Sequence, residues 1–160
     1  MRLNDFFQFH RDEICEQYLK PIAEAKSKKD LADLMDINVC EWLCQMNAKH
    51  GGIGNWLVEN FSNFINGKFI TDTKGYTTVI YVGMVRYDNV FPLASTVTAF
   101  IDCDTKLLVR KNEVRRIVCS NCHINVMLEE NSEILIVHDG HCEITVDKQE
   151  GAKFKIKELQ

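Results

Sequence analysis

The last four blocks of ten residues repeat one short pattern, and that repeat limits the fold more than any other feature of the chain. Cys122, Ser132, Cys142 and Ala152 fall in one column at a spacing of ten. Ile124, Ile134, Ile144 and Phe154 form a second column, and Val126, Ile136, Val146 and Ile156 a third. Each row is entered through a polar or glycine turn: Ser120-Asn121, Glu130-Asn131, Asp139-Gly140 and Glu150-Gly151. Side chains alternate across a strand, so rows of period two stacked in register build a sheet face or a solenoid wall. In a β-solenoid each row is one face of a coil, and the small column sits where the wall turns. In an antiparallel meander each row is a strand and each turn a hairpin. The small column and the equal row length favour the solenoid. Upstream, Val97 and Ala99, Leu107 and Val109, and Ile117 and Cys119 keep the period of ten. A phase slip between Cys119 and Ile124 predicts a corner, a bulge or a change of face.

Residues 1–68 read as helical, and 69–160 as a β-hairpin followed by the ten-residue repeats, an α+β chain with a helical head. Phe6, Phe7, Ile14, Tyr18, Leu19 and Ile22 recur at helical spacing, and Pro21 is expected to kink or end that helix near Tyr18 to Lys20. Ser27 and Asp30 form a capping box for a helix that buries Leu31, Leu34 and Met35. A third helix spans Val39 to Ala48, with Asn38 as N-cap, and stops at Gly51-Gly52; a fourth has Asn55 as N-cap, carries Trp56, Leu57, Phe61, Phe64 and Ile65, and has Gly67 past its end. Phe69-Ile70 and Tyr76 to Val85 flank Lys74-Gly75 as a hairpin. A solenoid exposes core and unpaired backbone at its ends, so the helices and the charged Lys153-to-Gln160 segment are expected to cap it.

The rows Ser120-Asn121-Cys122-His123-Ile124-Asn125-Val126, Glu130-Asn131-Ser132-Glu133-Ile134-Leu135-Ile136, Gly140-His141-Cys142-Glu143-Ile144-Thr145-Val146 and Glu150-Gly151-Ala152-Lys153-Phe154-Lys155-Ile156 resemble those of small uncharacterised proteins from bacterial prophages and mobile elements. Such proteins join an acidic helical head to a short β-repeat tail. The resemblance covers about the last forty residues and implies an architecture, with no chemistry attached.

Charge excludes one class of function. The net charge is −4, shared equally by the two halves, which is no footprint for a general nucleic-acid binder. Met1-Arg2-Leu3-Asn4-Asp5 has no signal-peptide character and no run reaches membrane-spanning length, so the expected location is the cytoplasm, or a virion. Seven cysteines in that setting read as buried thiols or metal ligands before disulfides.

Cys119-Ser120-Asn121-Cys122-His123 has the spacing of a c-type haem attachment motif, but its flanks are β-like and no export signal precedes it. Cys119, Cys122, His138 and Cys142 come closer to zinc-ligand spacing, with His141 as a substitute last ligand. Set against zinc is the column that Cys122 and Cys142 share with Ser132 and Ala152, where small buried residues serve equally well. His138 and His141 are expected to point outward or to sit on the turn. Cys40 and Cys44, one helical turn apart, read as core. Arg110, Lys111, Arg115 and Arg116 could hold an anion or an acidic partner, but Glu113 interrupts them and a solvated face is the favoured reading.

No phosphate loop, nucleophile elbow or H-E-x-x-H occurs. The expectation is a non-enzymatic structural or protein-interaction module without a cofactor, meeting a protein partner or itself along sheet edges or through Trp56, Phe61, Phe64, Tyr76 and Tyr81. The alternative is a small zinc-binding module. A carbohydrate-binding or hydrolytic solenoid would need exposed acidic or aromatic ladders, which the rows lack.

Overall fold

Nine strands wind as a β-solenoid of about four turns behind a helical segment, with one further strand added as a hairpin, in a computed structural model that describes residues 11–34, 37–61, 69–73, 76–93 and 95–159. After a 3-10 turn at Arg11–Glu13 come α1 (Glu16–Glu24), α2 (Lys28–Asp33), α3 (Ile37–His50) and α4 (Ile53–Phe61). The strands are β1 (Phe69–Thr73), β2 (Tyr76–Val82), β3 (Val85–Pro92), β4 (Val97–Ile101), β5 (Asp104–Val109), β6 (Val114–Ser120), β7 (His123–Leu128), β8 (Glu133–His138), β9 (Glu143–Lys148) and β10 (Lys153–Glu158). They form two sheets, ordered β1-β2-β4-β6-β8-β10 and β3-β5-β7-β9. Every pairing is parallel except β1 with β2, the antiparallel hairpin expected from the sequence. Parallel ladders exclude the meander.

One coil takes two strands, one in each sheet. Thr78, Val97, Arg116 and Leu135 are successive partners at a step of 19 residues, and Lys155 follows after 20. The ten-residue row is therefore half a coil. Between the sheets lie Leu107, Val109, Ile117, Ile124, Val126, Ile134 and Ile136, all buried. Val97 and Ala99, read as members of the same columns, instead face the helices: Ala99 pairs with Val118 in the outer row of the first sheet. The phase slip marks the corner at Asn121, and Ile117 and Ile124 on either side of it both face inward.

The coils turn where backbone sterics allow it. Gly83, Asp102, Asn121 and Gly140 take φ of +51° to +83° at one corner, and Asn112, Asn131 and Gly151 take +55° to +72° at the other. Glycine, asparagine and aspartate visit this left-handed region at the lowest cost. Every turn read from the rows is one of these positions.

The helices do not cap an end. They lie along the outer face of the first sheet, where Leu43, Cys44, Ile53 and Leu57 share a core with Ile80, Ala99, Ile101, Val118 and Val137. That outer face is apolar, and only a helical layer beside it removes it from water. Lys153–Glu158 is no cap either: alternation puts it into the first sheet as β10. Pro21 lies inside α1, which runs on to Glu24, because proline's fixed φ is helical and the loss is a single backbone bond. The Ser27–Asp30 box is formed, with Asp30 N–H donating to Ser27 Oγ at 3.1 Å and Ser27 N–H to Asp30 Oδ2 at 2.9 Å. The helices α3 and α4 begin before Asn38 and Asn55, which lie in their first turns. Phe6, Phe7, Met35, Phe64, Ile65 and Gly67 lie outside the described residues.

Candidate functional site: the cysteine corner and the open coil

The corner at Asp102, Asn121 and Gly140 gathers most of the chain's thiols. Cys103, Cys122 and Cys142 each follow that turn in successive coils, so the ladder stacks them. Ser132 and Ala152, which share their column in the sequence, stand at the opposite corner after Asn131 and Gly151. The sequence argument from Ser132 and Ala152 against metal therefore lapses, because a row is half a coil and alternate rows turn at different corners. The Cys103 N–H donates to Cys122 Sγ at 3.4 Å, and the Cys122 thiol lies 3.3 Å from the Phe100 carbonyl. Cys119 is fully buried and, like Cys122, hydrogen-bonded to Cys142. Cys44 of α3 is also fully buried, close enough to Cys119 and Cys142 for their charges to be felt.

The thiols divide by hydrogen bonding and burial. Hydrogen bonding to Cys142, then burial, holds the Cys119 thiol well above the ordinary range. Donation to Cys103 and Cys142 holds Cys122 up as well, and burial holds Cys44 up. Cys142 receives from Cys119 and Cys122 and is held low, as Cys103 is by Cys122. Among these thiols, Cys142, the half-buried member, is the one whose neighbours favour the thiolate most.

Beneath the thiols runs a polar joint. The side chain of Asp139 is 1% exposed, accepts from the Ser120 hydroxyl, and lies 3.5 Å from Cys142 Sγ. Asn47 of α3 donates to Ser120 Oγ at 2.9 Å and to Asp102 Oδ1 at 3.3 Å, while its carbonyl takes the N–H of Ile53 at 3.1 Å. Sequence reading missed Cys103, Asp102, Asp139, Ser120 and Asn47. The readable signal was a change from Val82 and Ile101 to Ser120 and Asp139 at equivalent coil positions, visible only once the coil is known to be 19 residues long.

Of the four residues with zinc-ligand spacing, the fold brings Cys119, Cys122 and Cys142 into contact. His138 serves the turn, one of its two expected placements: its Nδ1 accepts the Gly140 N–H at 3.1 Å, and by register it continues the inward column of Cys119. His141 is exposed, 4.0 Å from Asp139. Among the described residues no three His, Cys, Asp or Glu side chains stand in an arrangement that could hold a metal ion as they are. In the haem-like motif both cysteines are buried, while His123 faces outward, 3.4 Å from Asp104. Cys40 and Cys44 are core.

The basic cluster is tied into the chain. Lys111 pairs with Glu130, Arg116 with Glu41, and Arg115 with Glu113 at 2.9 Å; Arg110 is exposed, its N–H on Glu113. Trp56 and Phe61 are buried, and Tyr81 stacks on Phe100 with ring centroids 5.4 Å apart. The side chains of Phe64 and Tyr76 lie outside those described. Exposed apolar surface lies elsewhere: Phe154 is 44% and Ile156 40% exposed, on β10 at the open end of the solenoid. Among the described residues no helix is long and apolar enough to cross a membrane. No protein-family model, curated protein or solved structure matches the chain.

Proposed function

We propose that this protein is a non-enzymatic interaction module whose working surface is the open end of its solenoid. One observation carries the reading. Phe154 and Ile156 continue the columns of Ile134 and Ile136, which are buried one level below, yet among the described residues no strand lies opposite them. A finished core layer with one wall missing is a surface that another chain can complete. Partner binding or self-association is therefore the activity, in keeping with the prophage and mobile-element resemblance of the rows, in the cytoplasm or on a virion.

A second reading has its own observation. Cys119, Cys122 and Cys142 meet at one corner, and thiolates select soft metals, zinc among them. Small side-chain rotations would be needed, with His138 Nε2 or Asp139 completing the set.

Native mass spectrometry of untagged protein purified without chelator separates the two. A metal-free oligomer supports the interaction reading in its self-associating form. One zinc per chain, lost on acidification, favours the second. A metal-free monomer at every concentration sinks self-association and leaves binding to a different protein as the only form of the first reading.

A further inference from the structure

The two sheets end out of step. The first sheet closes on β10, one level beyond β9, the last strand of the second. Among the described residues β10 pairs only with β8 and β9 only with β7, so each leaves one edge unpaired. The inner side of β10 carries Phe154 and Ile156; that of β9 carries Ile144 and Val146, partly buried against the core. The outer sides differ in sign. β10 presents Lys153, Lys155 and Lys157, and β9 presents Glu143, Thr145 and Asp147, all exposed.

We propose that two copies of this chain join end to end about a two-fold axis parallel to the strands, β10 of each pairing antiparallel with β9 of the other. The inference rests on the self-association form of the reading above and names its partner. The geometry follows from the coil. The chain reverses at each corner, so the two sheets run in opposite directions. A two-fold rotation parallel to the strands preserves strand direction, inverts the solenoid axis and exchanges the sides on which the two sheets lie. The protruding β10 of one copy then lies over the recessed β9 of the other, antiparallel to it, and step fits step. The two half-coils become one complete coil, with Phe154 and Ile156 of both copies facing each other inside it.

The side chains fit the same register. Keeping apolar residues inward sets Phe154 against the partner's Val146 and Ile156 against the partner's Ile144. The outer rows then set Lys153 opposite the partner's Asp147, Lys155 opposite Thr145, and Lys157 opposite Glu143. Opposite charges directly across a ladder stabilise it, and like charges destabilise it. The competing two-fold axis, perpendicular to the strands, puts β10 on β10. It faces lysine row with lysine row and leaves a gap between the two β9 edges.

Sedimentation equilibrium on the full chain tests this, with two charge-reversed variants: Glu143→Lys with Asp147→Lys, and Lys153→Glu with Lys157→Glu. Wild type should sediment at twice the 18.5 kDa chain mass. Each variant alone should dimerise at least about tenfold more weakly at low salt. An equimolar mixture should recover the wild-type affinity, because each variant's reversed row then meets an opposite row on the other. All four positions are exposed, and circular dichroism of each variant confirms folding. A dimer equally tight in both variants, or a mixture that stays monomeric, overturns the half-coil pairing and leaves self-association standing. A wild-type monomer at all concentrations overturns both.

Discussion

Asn47 of α3 and Ser120 at the end of β6 share a 2.9 Å hydrogen bond across 73 residues of sequence. That bond lies in a buried joint where one carboxamide holds a coil corner, through Ser120 and Asp102, and the first N–H of α4. The helical layer is fastened to the solenoid by this side chain as well as by apolar burial.

Asn47→Ala should cost about 1–3 kcal/mol, because buried partners are left unpaired. The loss should be local first. Amide hydrogen exchange should accelerate in α4 before it does in β6 or β8. Uniform acceleration across helices and strands would mean that Asn47 does not act as a joint.

Gly151 and Asn131 meet at the opposite corner in successive coils. A Cβ at Gly151 would stand 2.2 Å from Asn131 Oδ1, on a backbone with φ of +72°. Gly151→Ala should destabilise by about 1–3 kcal/mol, from the left-handed backbone together with the clash. Adding Asn131→Gly removes the clash and leaves only the backbone cost. Urea denaturation of the two single variants and the double should show a favourable coupling, and strict additivity would sink this account of the corner.

Cys142 should be the most readily alkylated of the corner thiols. Hydrogen bonds from Cys119 and Cys122 hold it low, so its labelling by iodoacetamide should be half-maximal below the ordinary thiol value of about 8.5. Its ionisation contributes stability that is fully present above that unfolded value and is lost as the pH falls through the folded one. Cys119 and Cys44, raised by their surroundings, should stay unlabelled until the protein unfolds. Mass spectrometry of peptides after timed labelling would refute this if Cys119 reacted alongside Cys142.

Ile134→Ala should cost about 2–5 kcal/mol, as a fully enclosed aliphatic side chain lost from a packed core. Phe154→Ala, on the neighbouring strand in the same column, should cost far less in the isolated monomer, since Phe154 is 44% exposed there. Equal losses, measured by thermal unfolding at concentrations below dimerisation, would contradict the open-end description.

The rows made the strands and their corners legible, because alternation and left-handed turn residues are local properties. Asn121, Asn131, Gly140 and Gly151 carry the turn in their own side chains, or in the lack of one. The Ser27–Asp30 box was equally local. Helix starts were placed too late because Asn38 and Asn55, capping residues by type, lie inside the first turns of helices that begin at Ile37 and Ile53. Where the helices go is not local at all. Residues such as Ala99 and Val118 look like any buried strand position, and only the apolar outer row they build together calls for a helical cover.

By itself the sequence determined a β-repeat with a period of ten, turning at Asn, Asp and Gly, preceded by helices. Only the tertiary structure decided that two rows make one coil. That step splits a single column of small residues between two corners, stacking Cys103, Cys122 and Cys142 at one and Ser132 and Ala152 at the other. It also leaves β10, among the described residues, without an opposing strand. The physical reason is that alternation fixes which side of a strand a residue faces, while the neighbour it meets depends on how many residues the chain spends before it returns to the same wall.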